Sequence, residues 1–236
     1  MKIKDNLTIV IPSKNEGVTL YECVCYIAGQ NDIEGTKVII SDVSDDEMSL
    51  KYIKNTISDF KYTLNIEVIK GGYPAEGRLN GSKLVKTPYM LFLDSDIMIT
   101  HRNVIRDVTK YDMDLVTVPF VTDVKWDWVF RIFDLFQWFS TLIGTPFAVG
   151  GFQLWKTETY WKLGGYNKEE IFAEDYSLSQ KVNPKNFKIH RTEYIYTSPR
   201  RFKKKGVKWM FKIMIKSYLN RNNPEFFKKS HGYWDC

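Results

Sequence analysis

The chain has 236 residues, enough for one large domain, and its 44% hydrophobic content excludes a disordered protein. Lys and Arg number 34 against 28 Asp and Glu, a net charge of +6. The imbalance is local: residues 198–236 hold eleven bases and two acids (+9), residues 1–197 hold 23 and 26 (−3), so an anionic partner is expected at the C-terminal end.

The opening "MKIKDNLTIVIPSKNEG" turns polar before an apolar run long enough for an export signal, so cytosolic or cytosol-facing residence is the expectation. The cysteines, Cys23, Cys25 and Cys236, have no metal or disulfide spacing and read as helix-packing residues plus a frayed terminus. "LTIVI" (7–11) is a β-branched run that predicts a strand stopped by Pro12, followed by a helix over 17–29. "KVIIS" (37–41) predicts the second strand, followed by a helix over 48–58. "NIEVIK" (65–70) predicts the third, followed by a helix over 75–86, and "YMLFL" (89–93) the fourth. Strands apolar throughout are expected to be buried on both faces, as in a parallel sheet between helices. Ligands of such sheets bind beyond the carboxyl ends of the strands. Pro12, Lys14 and Glu16 follow strand one, Asp42 follows strand two, and Asp94 and Asp96 follow strand four, all on one sheet edge. The pattern predicts an α/β enzyme with a cleft for a polar ligand.

The second half is aromatic. "WDWVFRIFDLFQWFSTLI" (126–143) has helical spacing and too many charges to span a membrane. It reads as a helix buried against the sheet, with a membrane-interface helix or an apolar acceptor wall as the alternative. In "SPRRFKKKGVKWMFKIMIKSYLN" (198–220), Lys204, Lys208, Lys212 and Lys216 repeat every four residues among aromatic and aliphatic side chains. That pattern fits a membrane-surface helix and equally a docked helix with a solvated lysine face.

If the strand continues through 94–96, Asp94 and Asp96 point to one side and can hold a divalent cation, Mg²⁺ or Mn²⁺, leaving room for phosphate oxygens. Asp42 can accept the imino N–H of a pyrimidine, and Arg78 offers a forked donor for phosphate or base oxygens. Glu174-Asp175 either heads a helix as a dipole partner or supplies a general base.

Five stretches in order, "TIVIPSKNEG", "VIISDVSDD", "GRLNGSKLVKTPYMLFLDSDI", "GGFQLWKTETYWKLGGYNKEEIFAEDYSLSQKV" and "SPRRFKKKG", resemble family 2 of the inverting glycosyltransferases. The resemblance runs from residue 7 to about 206 and implies a GT-A fold: a mostly parallel nucleotide-binding sheet flanked by helices, an acceptor-side half and a basic C-terminal helix. It divides the chain into a glycosyltransferase domain over 1–205 (nucleotide-binding half 1–100, acceptor half 101–205) and a basic tail over 206–236. It implies that Pro12, Glu16, Asp42, Arg78 and Asp94 hold the nucleotide-sugar, that Asp96 with Asp94 holds the metal, and that Asp175 is the catalytic base. Gly150, Gly151 and Glu174 fall on the acceptor side. Arg200 and Arg201 match a basic motif of a non-processive, membrane-associated branch, where they would meet a diphosphate or lipid phosphate. His190 is a weaker candidate for a further metal ligand. Val43 stands where the family has Gly, so the base-binding loop is expected to differ. The Gln-x-x-Arg-Trp motif of processive members is absent, which implies transfer of one sugar.

The implied partners are a nucleotide-sugar donor, with a UDP-sugar favoured, and a glycan, protein or lipid acceptor; peripheral contact with an anionic membrane is expected, and nucleic acid is not. The alternatives are a sugar-phosphate nucleotidyltransferase, whose Gly-rich loop has little counterpart in "PSKNEG", and a non-enzymatic membrane- or RNA-binding protein using the basic tail.

Overall fold

A computed structural model describes residues 2–233; Cys236 lies outside the described residues. The apolar runs of the first hundred residues form β1 (Leu7–Ser13), β2 (Lys37–Asp42), β3 (Asn65–Lys70) and β4 (Tyr89–Leu93). The helices between them are α1 (Gly17–Ala28), α2 (Glu47–Phe60) and α3 (Pro74–Ser82). Further along come β5 (Ile97–Met98), α4 (Val104–Val108), β6 (Leu115–Thr117), β7 (Phe120–Val121), α5 (Asp127–Leu142), β8 (Phe152–Lys156) and α6 (Thr157–Lys162). The chain ends with α7 (Glu174–Ser179), β9 (Phe187–Ile189), β10 (Ile195–Thr197), α8 (Arg200–Lys205), α9 (Val207–Leu219) and α10 (Pro224–Phe227).

The main sheet has seven strands in the order β3-β2-β1-β4-β8-β6-β9, parallel except for β8. Alternation along the strands divides the core. Ile9, Ile11, Val38, Ile40, Leu91 and Leu93 pack with the buried face of α1, while Val10, Ile39, Met90 and Phe92 pack with Trp155, Tyr160 and Tyr166 on the other side. β3 departs from this: as an edge strand it has one sheet neighbour and is buried on neither face. Nor does Pro12 end β1, which runs on to Ser13. Pairing with β4 stops at Val10, so at Pro12 the strand has β2 alone beside it and the missing N–H is tolerated.

α3 lies very close to β1 because it presents glycine there. A Cβ on Gly81 would come within 2.3 Å of Val10 Cγ1, and one on Gly77 within 3.3 Å of Pro12 Cβ. Arg78, next in sequence to Gly77, is thereby carried to the strand exits.

The second half departs from the expected packing at α5. α5 buries only Val129 and Gln137, so it is not a helix sunk against the main sheet. It runs beside β7 and rests on α8 and α9 through Phe130 and Phe133, because apolar residues surround it more widely than one neighbour can cover. The last residues fold back: the Phe227 carbonyl accepts from the N–H groups of Ile171 and Phe172, and Lys228 pairs with Glu169. Of the two described cysteines, Cys23 is buried as expected and Cys25 is exposed. No helix among the described residues is long and apolar enough to cross a membrane.

Candidate active site

The parallel strands β1, β2 and β4 end at one edge, and antiparallel β8 begins there, since Leu93 pairs with Phe152. The chain just before β8, Gly150-Gly151, is therefore beside the chain just after β4, and the Asp94 N–H donates to the Gly151 carbonyl at 3.3 Å. The strand does not continue through Asp94 and Asp96. The Ile97 N–H closes a turn onto the Asp94 carbonyl at 3.2 Å, so a turn, not strand alternation, brings the two carboxylates together.

Arg78 is the buried hinge of the site. Its Nη2 donates to Asp94 Oδ1 and its Nη1 to Glu174 Oε1, both at 2.5 Å. One guanidinium thus links the β4 exit to the start of α7, with its Cζ 5.5 Å from the centre of the Tyr166 ring. Ala173 precedes α7 in a left-handed conformation (φ 48°) and offers no side-chain cap. Glu174 is committed to Arg78, and Asp175 takes two backbone donors, one of them in the first turn of α7. The Gly150 N–H donates to Asp175 Oδ2 and the Tyr176 N–H to Asp175 Oδ1, each at 2.7 Å. Burial, then the charge of Glu174, push the Asp175 pKa up to about 7, although Arg78 and the two N–H groups oppose the shift.

A second, three-stranded sheet in the order β5-β10-β7 delivers the basic side. β10 pairs antiparallel with β5, which follows Asp96 directly, so the chain leaving β10 returns over the strand exits. Arg200, at the head of α8, grips Glu16 with Nη2–Oε1 at 2.5 Å and Nη1–Oε2 at 3.1 Å. The same Nη2 stands 3.4 Å from Asp96 Oδ2. Burial and Asp94 push the Asp96 pKa up to about 6, against the pull of Arg200. Arg201 hydrogen-bonds the Tyr233 hydroxyl and stacks on its ring at 4.2 Å.

Asp42 ends β2 with its carboxylate accepting from the Ser44 N–H at 2.9 Å and the Ser44 hydroxyl at 2.8 Å. Val43 needs no positive φ; its N–H continues the ladder to the Ser13 carbonyl at 3.0 Å. The turn's positive φ falls instead on Asn15 (53°), tied to Ser44 and Asp45. Gly151 backs onto Phe120 and Ile97, while a Cβ on Gly150 would face Arg78 and Asp175.

Direct contacts join Arg78 with Asp94 and Glu174, Gly150 with Asp175, and Arg200 with Glu16 and Asp96, while Asp42 and Arg201 bond to Ser44 and Tyr233. His190 does not join them: Tyr111 and Glu193 take both its ring nitrogens, so it is unavailable as a metal ligand. Sequence reasoning missed Tyr166 and Tyr233. Tyr166 lies in the "GGYNKEE" run and was legible only as an aromatic; the Tyr233–Arg201 contact joins residues too far apart for any local signal.

Asp94 and Asp96 suit a hard divalent cation: Asp96 is a desolvated carboxylate whose nearest cation is Arg200, and two carboxylates leave coordination positions for other oxygens. Among the described residues no group of three or more His, Cys, Asp or Glu could hold a metal ion by itself.

Among solved structures, the mannosyltransferase PcManGT from Pyrobaculum calidifontis, in complex with GDP-Man and Mn²⁺, superposes with a TM-score of 0.65 at 13% identity, covering 81% of this chain and 56% of that one. S. aureus TarS 1-349 in complex with UDP gives 0.62 at 15% identity, covering 82% and 60%. Its complex with UDP-GlcNAc gives 0.62 at 16%, covering 82% and 58%. These likenesses show the GT-A fold, and this chain spans less than two thirds of the length of those proteins. No curated protein sequence matches the chain. The sequence model described as Glycosyl transferase family 2 matches residues 8–164, about two thirds of the chain, which takes in Glu16, Asp42, Arg78, Asp94, Asp96 and Gly150 and leaves out Glu174, Asp175, Arg200 and Arg201. This chain belongs to glycosyl transferase family 2.

Proposed function

We propose that the protein transfers one sugar from a nucleotide-sugar donor, with a UDP-sugar favoured, to an acceptor hydroxyl or lipid phosphate, with inversion at the anomeric carbon. The observation that carries this reading is Asp175, held by two backbone N–H groups with a pKa near neutrality, beside the Arg78-linked carboxylates of the β4 exit. A general base works best when its pKa lies near the operating pH.

In this reading residues 1–100 hold the nucleotide and residues 101–205 the acceptor. Asp42 accepts the imino N–H of the base, and Pro12 and Glu16 line the nucleoside side. Arg78 fixes Asp94 and Glu174 so that the donor meets a preformed wall. Asp94 and Asp96 would hold Mn²⁺ or Mg²⁺, whose charge would offset that of the departing nucleoside diphosphate. Arg200 and Arg201 supply further positive charge for the same leaving group. Asp175 takes the proton from the acceptor hydroxyl as it attacks the anomeric carbon opposite the leaving group. Direct displacement of this kind needs no covalent sugar–enzyme intermediate and inverts the configuration. Family membership favours this reading over a nucleotidyltransferase. The acceptor classes open to it are a glycan, a protein or a lipid, the last with peripheral contact to an anionic membrane.

The test is thermal stability against UDP-, GDP- and dTDP-sugars, with Mn²⁺ or with chelator, on wild type and Asp96→Ala. One nucleotide class should stabilise the wild type only with metal. No shift from any nucleotide would overturn the reading. With a donor in hand, the anomeric configuration of the product by NMR tests inversion.

A further inference from the structure

Outside the site, the outer face of α5 is the most unusual surface of the molecule. Trp128, Leu135, Trp138, Phe139, Leu142 and Ile143 all stand exposed on it, Trp128 by 54% and Leu142 by 63%. At 3.6 residues per turn these positions fall within an arc of about 140°, with buried Val129 and Gln137 outside it. Single exposed apolar residues are ordinary, but a contiguous aromatic face of this size marks an interaction surface. The acids of α5 are neutralised within the fold: Asp127 pairs with Arg131 at 3.1 Å and Asp134 with Arg191 at 2.8 Å.

α9 extends this face with positive charge. Phe136, at one border of the apolar arc, meets Phe211 of α9 with ring centres 5.9 Å apart. On α9, Lys208, Lys212, Ile215 and Leu219 follow an i, i+4, i+7, i+11 stripe, all exposed, Leu219 by 69%. Lys204 and Lys216 lengthen the cationic border. Two helices far apart in sequence therefore present an aromatic face and a lysine stripe side by side.

We propose that α5 and α9 together form a docking surface for an anionic lipid bilayer. The tryptophans and phenylalanines of α5 enter the interface, where amphipathic aromatic rings favour the headgroup level, and the lysines of α9 meet the acidic headgroups. Charge complementarity favours a bilayer over a second copy of this chain, because a two-fold contact would bring two lysine-rich helices together. The surface is coupled to the cleft: α8 runs through Gly206 into α9, and Arg200 at the head of α8 touches Glu16 and Asp96. A bilayer on this face is joined through α8 to the Arg200 end of the cleft, and in the glycosyl-transfer reading it supplies a lipid-borne acceptor. That last step rests on the glycosyl-transfer reading; the docking surface does not.

The test is sedimentation of the full chain with vesicles of phosphatidylcholine alone and of phosphatidylcholine with phosphatidylglycerol, read together with tryptophan emission. The expected result is salt-sensitive binding to the anionic vesicles with blue-shifted emission. Trp138→Ser/Phe139→Ser and, separately, Lys208→Glu/Lys212→Glu should each weaken binding by about tenfold or more while leaving the melting temperature unchanged. Absence of binding, or binding that survives both double variants, would overturn the proposal. So would a concentration-dependent dimer dissolved by Trp138→Ser/Phe139→Ser, which would reassign the face to a second copy. Vesicle binding without transfer from any nucleotide-sugar would leave the docking surface standing and overturn the lipid-acceptor step.

Discussion

The Gly150 N–H and the Asp175 carboxylate are joined at 2.7 Å across 25 residues of chain, tying the start of β8 to the start of α7. A side chain at Gly150 has no room, since its Cβ would stand 2.6 Å from Arg78 Nη2. Gly150→Ala is therefore expected to displace the Arg78 guanidinium from Asp94 or Glu174. The stability cost should be about 1–3 kcal/mol, typical of overpacking, measured by chemical denaturation, with transfer lowered at least tenfold.

Asp175→Asn keeps the shape of the side chain and removes the base. Transfer should fall by about 10²–10⁴-fold. In the wild type, kcat/KM should rise with pH and level off above about 7, and Asp175→Asn should lose that slope. Stability should move the other way. The folded pKa is raised from an ordinary 3.8, so the folded chain holds the extra proton between about pH 4 and 7, and Asp175 costs stability as pH rises through that window. Melting temperature against pH, wild type beside Asp175→Asn, should show the variant relatively more stable above pH 7.

Arg200 is half exposed, so its pairs with Glu16 and Asp96 should contribute less than about 1 kcal/mol to folding. Arg200→Ala should leave the melting temperature nearly unchanged. By calorimetry with Mn²⁺ present, UDP binding should weaken about tenfold, the effect of losing one charge-assisted contact to a phosphate. Equal UDP affinity in the two proteins would assign Arg200 to loop anchoring alone.

His190 is buried between Tyr111 and Glu193, which its removal would leave without their shared partner. His190→Ala should cost about 1–3 kcal/mol in denaturation and leave the Mn²⁺ response of nucleotide binding unchanged. A loss of that response without loss of stability would return His190 to the metal site.

The first hundred residues were legible because burial on both faces demands continuous apolar runs, and those runs ended within two residues of the observed strands. Polar residues at each strand exit marked the cleft for the same reason: a parallel sheet has one functional edge. β3 read as buried because its composition is β-branched, yet an edge position overrode that preference. The aromatic run of α5 read as a helix buried against the sheet, and that partner was wrong because its apolar residues exceed any single contact face.

The sequence by itself determined the order of elements over the first hundred residues, the parallel direction of β1 to β4 and the acidic character of the sheet's edge, since these follow from local pattern and short connections. Only the tertiary structure decided how the charges are paired. Arg78 reaches Asp94 over 16 residues and Glu174 over 96, Arg200 joins Glu16 over 184, and Gly150 fixes Asp175 because β8 runs antiparallel beside β4. The same holds for α5 and α9, whose shared outer face exists only where Phe136 meets Phe211. Such contacts depend on loop closure and on which backbones can approach, as at Gly77 and Gly81 over β1, and neither is written in the local spacing of residues.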